Sequence, residues 1–168
     1  MRISDFIQKV LIEEFRKIEQ DEGHHYISIS LICQGIEFLG ACLDSEPFSA
    51  KGQSAARFRR AIYELFPASY RPYNQGTGRA FDLYENLRCG LLHVILPDSP
   101  IEVIQQSEKE KFDVNHLEVK EIRGRDRLVL VSEDLFDDYE KACKEIIVRI
   151  HHGRLRGWKF EGDVLITG

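Results

Sequence analysis

Between Gly78 and Pro97 the chain reads GRAFDLYENLRCGLLHVILP, and one residue in that stretch limits what the rest can build. Wound at about 100° per residue, Leu83, Tyr84, Leu87, Leu91, Val94 and Ile95 collect on one side of a helix. Asp82, Asn86, Cys89 and His93 collect on the other. Arg88 breaks this division. It projects into the apolar sector, between Tyr84 and Ile95 on one flank and Phe81 and Leu92 on the other. A guanidinium at the margin of a buried face costs several kcal/mol unless a carboxylate, a phosphate or a neighbouring subunit supplies hydrogen bonds. His93 follows at a spacing that places it roughly 140° away around an undistorted helix, so the two side chains do not stack as an i,i+4 pair. They can line one cleft if Gly90 lets the helix bend, or if two subunits each contribute part of it.

A chain of 168 residues with 43% hydrophobic content can bury one main core with a small appendage. The expected division is a helical bundle over 1–97 and a small α+β extension over 98–168, packed as one structural unit. Ile3, Phe6, Ile7, Val10, Leu11, Phe15 and Ile18 recur at helical spacing among charged residues that a secretory signal would exclude, and no apolar run long enough to span a bilayer is expected. Cys33, Cys42, Cys89 and Cys143 form no CxxC pair, which fits a reduced, cytoplasmic protein. The net charge of −5 argues against coating nucleic acid by bulk attraction. Charge is uneven, however: from Lys51 to Arg88 there are seven basic residues against three acidic ones, a local basic surface in an acidic chain.

Taken in order, a first helix is expected from about Ser4 to Glu19, with Ser4 as N-cap and Asp5 in the first turn. A second, more apolar helix runs from Tyr26 to Leu43, where Gly35 and Gly40 weaken the helix and let another one come close. Glu37 is its only charged residue before Asp44 and is therefore a candidate buried partner for Arg88. Ser54 caps a third helix with Phe58, Ala61, Ile62 and Leu65 as its apolar stripe and Arg57, Arg59 and Arg60 around its exposed side. The loop ASYRPYNQGTG, Ala68 to Gly78, mixes tyrosine with arginine as a single-stranded nucleic-acid surface does. After Pro97, Ile101 and Val103, Leu117 and Val119, and Leu128 to Val131 predict a small antiparallel sheet with a turn at Arg123 to Asp126. Ser132 then caps a last helix, and the tail reads as a second hairpin turning at Gly162 and Asp163.

The string YENLRCGLLH, on the last long helix of an N-terminal helical bundle, resembles the Rx4-6H motif of the HEPN superfamily. The resemblance covers about Met1 to Pro97 and departs from the family at Cys89, where Asn or another polar residue is usual after the arginine. It implies a mainly α, four-helix bundle that pairs as a homodimer, to which the pattern after Pro97 adds a small antiparallel β element and a C-terminal helix. It also implies metal-independent RNA cleavage, by attack of a ribose 2′-hydroxyl on the adjacent phosphate. His93 would then transfer the proton and Arg88 would hold the scissile phosphate. Asn86, Glu37, Arg60 and Arg71 are the candidate substrate-binding residues, and no cofactor, metal or membrane is expected.

Other patterns carry less. A Cys89–His93 nucleophilic dyad lacks a third orienting group. The adjacent pairs His24–His25 and His151–His152 point apart on a helix and do not chelate. Gly76 to Gly78 lacks the Gly-Lys-Ser/Thr ending of a phosphate loop. Two further readings stand beside the nuclease: a catalytically silent HEPN-like module that binds RNA, a nucleotide or a protein partner, and a dimerisation scaffold in which Arg88 belongs to a structural ion pair with Glu37 or Glu85.

Overall fold

A computed structural model describes residues 1–21, 24–76, 78–90, 100–155 and 158–161. Helix α1 joins three consecutive segments, Ile3–Phe6, Ile7–Glu14 and Phe15–Gln20, the middle one with the wider π winding. It buries Ile3, Ile7, Leu11 and Ile12. Ser4 lies inside this helix rather than capping it: Arg2 is the extended residue in front, and its carbonyl accepts from Phe6 N–H at 3.0 Å. Helix α2, His25–Leu43, is the central rod, with Ile29, Ile32, Cys33, Ile36, Leu39 and Cys42 all in the core. By length and composition α2 could cross a membrane, contrary to the sequence expectation, yet 56% of it is buried inside the fold.

Both glycines of α2 mark close approaches. A Cβ on Gly40 would lie 1.9 Å from the Arg57 carbonyl oxygen, so α3, Ser54–Leu65, packs there backbone against backbone. A Cβ on Gly35 would lie 2.1 Å from the Tyr139 hydroxyl on the last long helix. Ser54 is the first residue of α3; Gln53 occupies the cap and makes no side-chain bond. A 3-10 turn, Ala68–Tyr73, follows and buries Tyr70 completely.

The helix predicted from Gly78 begins later. Residues 78–81 form a turn, and α4 runs over Leu83–Cys89, again with π winding, from an N-cap at Asp82. Residues 91–99, and with them His93, lie outside the described residues.

Three strands follow: β1 Ile101–Ile104, β2 Glu118–Ile122 and β3 Arg125–Val131. Between β1 and β2 lie a 3-10 turn, Gln106–Glu108, and the short α5, Lys109–Phe112. The sheet is mixed rather than antiparallel. β2 and β3 form the expected hairpin through Arg123 and Gly124, both at positive φ (56° and 75°) as a tight two-residue turn requires. β1 reaches the other edge of β3 and pairs with it in parallel, giving the order β1-β3-β2. Side-chain alternation sends Leu128 and Leu130 of β3 into the main core and Val129 and Val131 into a smaller cluster with Ile104, Val114 and Ile122.

Helix α6, Ser132–His151, covers the bundle with Leu135, Phe136, Tyr139, Cys143 and Ile146. Ser132 is its first residue; Val131 occupies the cap, and the Ser132 hydroxyl donates to Glu133 at 2.9 Å. In the tail, a short helix α7, Trp158–Glu161, stands where the first strand of a hairpin was expected, and Gly162 and Asp163 lie outside the described residues. The architecture is mainly helical with a small three-stranded sheet, and apolar residues from both sides of position 98 enter one core.

Candidate functional site

Gln34, Glu37, Phe38 and Ala41 recur at three- and four-residue steps, and this spacing puts them on one face of α2. Opposite them stand Phe48, Ser54 and Arg57, with Arg88 contributed by α4, and the cleft between has a volume of about 390 Å³. Arg88 Nε donates to Glu37 Oε1 across the helix pair. The two side chains keep 15% and 17% of their surface exposed, so the ion pair sits at the cleft wall rather than sealed in the core. Burial by itself would lower the Arg88 pKa; the Glu37 carboxylate outweighs it and holds the guanidinium more firmly protonated than usual. Among the described residues no oxygen accepts from its two Nη nitrogens, and that edge carries four of its five N–H donors.

Arg88 is kept in place by an aromatic layer. Its Cζ lies 5.4 Å from the centre of the Tyr84 ring, and Arg59 Cζ lies 5.5 Å from the same centre. The Tyr84 ring also meets Phe58 edge-on at 5.7 Å. Asp82 anchors this layer. Its side chain is fully buried and accepts from Arg59 Nη1 at 2.6 Å, Arg59 Nη2 at 2.9 Å, Gly76 N–H at 3.0 Å and Glu85 N–H at 3.1 Å. Burial alone would raise its pKa, but the Arg59 fork and the two amides hold the carboxyl below its usual range.

The remaining predicted residues occupy different places. Asn86 turns its amide back onto the carbonyls of Arg79, Ala80 and Asp82, at 3.4, 3.3 and 3.0 Å, and ties the 78–81 turn to α4. Arg60 is exposed and, among the described residues, reaches the Leu43 carbonyl at 3.4 Å. Arg71 is exposed with its Cζ 4.8 Å from the Tyr63 ring centre. Of the predicted set, the structure brings Arg88 and Glu37 together; His93 lies outside the described residues.

Arg57 departs from the expected exposed face. It is 6% exposed and uses its fork on Asp44 (Nε–Oδ2 2.7 Å) and on the carbonyls of Phe48 (2.9 Å) and Pro47 (2.7 Å), wrapping the 44–53 loop into the cleft wall. Lys159, from α7, converges on the same point. It donates to the carbonyls of Ala41 (2.6 Å), Glu46 (3.2 Å) and Asp44, and to Asp44 Oδ1 (3.1 Å), meeting the negative end of α2. Burial would raise the Asp44 pKa, but hydrogen bonds from Arg57 and Lys159 hold it low.

A second polar network escaped the sequence reading. Val131 N–H donates to His116 Nδ1 at 3.0 Å, so a neutral ring carries its proton on Nε2, which faces the Tyr70 hydroxyl at 2.8 Å; that hydroxyl donates to Asp138 at 3.1 Å. Burial lowers the His116 pKa against the pull of Asp134 and Asp138, and burial raises that of Tyr70. Tyr70, expected on an open loop, is a core residue of this network, and Tyr73 donates to the Leu117 carbonyl at 3.1 Å. Burial likewise pushes the Cys42 and Cys143 thiols up to about 12, which makes them poor nucleophiles. Among the described residues no group of three or more His, Cys, Asp or Glu side chains is placed to hold a metal ion.

No protein-family model, curated protein or solved structure matches the chain.

Proposed function

We propose that this chain is an RNA-directed, HEPN-like homodimer in which Arg88 receives a backbone phosphate at the cleft between α2, α3 and α4, and His93 transfers the proton during metal-independent cleavage. The reaction needs no external reagent. The ribose 2′-hydroxyl loses its proton and attacks the adjacent phosphorus; the bond to the 5′-oxygen breaks; that oxygen takes up a proton, leaving a 2′,3′-cyclic phosphate and a 5′-hydroxyl. An imidazole titrating near neutral pH suits both transfers. A guanidinium suits the charge that builds on the phosphate oxygens.

The observation that carries this reading is the placement of Arg88: at the wall of an open cleft, its Nε held by Glu37 and its Nη edge without an oxygen partner among the described residues. Glu37 orients the guanidinium and neutralises it while no phosphate is present. The same pair also favours a second reading, binding without cleavage, because a phosphate must share Arg88 with a carboxylate already in place.

The test incubates purified protein with mixed RNA in the presence of a chelator, beside Arg88→Ala and His93→Ala, and measures mass by size exclusion. Cleavage by the wild type that both substitutions abolish, in a protein of dimer mass, is the expected result. Intact RNA with the wild type removes the nuclease. RNA retention that survives His93→Ala and weakens with rising salt then supports the silent module. A strict monomer refutes the shared cleft.

A further inference from the structure

The basic surface outside the cleft has an arrangement that neither ion pairing nor core packing accounts for. Tyr63 is 61% exposed, among the most open of the large apolar side chains, and Arg71 covers one face of its ring at 4.8 Å. Tyr63 stands one helical turn beyond both Arg59 and Arg60 on α3. Arg59 in turn covers Tyr84, whose ring also lies against Arg88 at the cleft wall. Two cation–ring groups therefore lie along α3: Arg88, Tyr84 and Arg59 at the cleft, and, four residues after Arg59, Tyr63 under Arg71.

The acidic residues near this line are engaged. Asp82 is buried under the Arg59 fork, Glu85 accepts the Gly78 amide at 3.0 Å, and Glu64 faces Arg149 at 3.5 Å. What the line offers to solvent is the Tyr63 ring with Arg71 over one face, and, three residues earlier on α3, the exposed Arg60, which reaches toward the Leu43 carbonyl. An open ring flanked by exposed guanidiniums matches an unpaired base next to its phosphates, since every base has a face to stack and every linkage has a charge. A duplex hides its bases and could use only the charges.

We infer that Tyr63 and Arg71 form a handhold for single-stranded RNA, Tyr63 stacking on a base and Arg71 with Arg60 taking its phosphates, on a strand that runs along α3 toward Arg88. This rests on the RNA-directed reading of the cleft and adds the substrate class: single strands of several nucleotides, not duplex. Arg59, with both terminal nitrogens on Asp82, positions Tyr84 and does not meet the phosphate.

The test uses wild-type protein and RNA whose ribose carries a 2′-O-methyl group, which removes the attacking hydroxyl and leaves binding alone. Affinities for a mixed-sequence octanucleotide, a dinucleotide and the octanucleotide in duplex form are read by fluorescence anisotropy across a salt series. The single-stranded octanucleotide should bind tightest. Tyr63→Ala should weaken it roughly tenfold, with Tyr63→Phe close to wild type. Arg71→Ala should shrink the salt slope by about 0.7, the share of one phosphate on a single strand.

Duplex binding equal to single-strand binding, or unchanged affinity and slope in Tyr63→Ala and Arg71→Ala, overturns the handhold. If mixed RNA is still cleaved in an Arg88- and His93-dependent way, that result leaves the cleft reading standing. Intact RNA with wild type strikes the cleft reading instead, whatever Tyr63 does. No oligonucleotide binding, together with altered self-association of Tyr63→Ala in sedimentation, replaces the handhold with a protein contact.

Discussion

Removing the Asp82 carboxylate should release the helix that carries Arg88. In Asp82→Ala the N-cap of α4 is lost, a change that costs about 1 kcal/mol. Arg59 keeps only 22% of its side chain exposed and loses both partners of its fork. Deleting one member of a buried pair costs about 3–5 kcal/mol, and the low end applies because Arg59 retains Tyr84 and some water. The total is about 4 kcal/mol, which for a chain of this size lowers Tm by about 8–16 °C. Asp82→Asn keeps a capping oxygen and loses the charge, so it should cost about half as much. Urea unfolding followed by far-UV circular dichroism measures both. The double variant Arg59→Met/Asp82→Ala leaves no orphaned cation and should be more stable than the two single losses added together. A loss below about 1 kcal/mol in Asp82→Ala, or strict additivity in the cycle, would refute the assignment of this pair as the anchor of α4. The acid limb gives an independent check. The folded carboxyl is held below its ordinary 3.8, so its contribution is present above that pH and disappears as pH falls through the lowered folded value. Asp82→Ala should lack that part of the acid dependence.

Two further perturbations probe the packing. Gly40→Ala gains about 1 kcal/mol of helix propensity, yet its new methyl meets the Arg57 carbonyl at 1.9 Å, a backbone group that yields only if α3 retreats. Overpacking of this kind costs about 3 kcal/mol or more, so the urea midpoint should drop by the equivalent of about 2 kcal/mol; a neutral or stabilising result would show that the helices do not touch there. His116, whose pKa is lowered on folding, binds its proton at higher pH in the unfolded chain than in the folded one. Stability should therefore be intact above about 6.5 and decline as pH falls from there toward the folded value, and His116→Gln should flatten that decline in urea midpoints measured across the range. Identical pH slopes for the two proteins would mean that the Tyr70–His116–Asp138 chain does not depend on a neutral ring.

What the sequence revealed was periodic, and what it hid was a partner far away in the chain. The 3.6-residue recurrence placed α1, α2, α3 and α6, and the glycines of α2 could be read as contact points because nothing else explains two glycines in so apolar a helix. The misplaced Arg88 had two candidate carboxylates in the sequence, Glu37 and Glu85, and the structure pairs it with Glu37. Arg57 could not be placed this way. Within its own helix it occupies a polar slot; only Asp44 and the 47–48 carbonyls, brought back by the loop, make that slot buried. Asp82 looked like one more residue on a solvated face because its partner Arg59 lies on another helix. The direction of β1 is equally non-local. Its alternation identifies a strand, but whether it runs with or against β3 depends on which edge remains after the β2–β3 hairpin closes. Lys159 sits in a short helix that its neighbours do not announce, and its reason for being there is the open end of α2.

Donor accounting sorts the arginines of this surface by what each has left to offer. A guanidinium has five N–H groups, and a ligand can recruit only those the fold has not engaged. Arg57 points Nε, Nη1 and Nη2 at a carboxylate and two carbonyls in a nearly buried site, which makes it a brace for the 44–53 loop. Arg59 places both terminal nitrogens on Asp82 and gives its flat face to Tyr84, which makes it a positioning residue. Among the described residues Arg88 donates to one oxygen, Glu37 Oε1 through Nε, and stands at a cleft with no oxygen on its outer edge. Arg60 and Arg71 are exposed, one with a long bond to a single carbonyl and the other stacked on an open ring. The capacity to take an anion therefore rises from Arg57 through Arg59 to Arg88, Arg60 and Arg71. Those last three come from three different elements, α4, α3 and the 68–73 turn, so a ligand that used them all would have to span more than one phosphate.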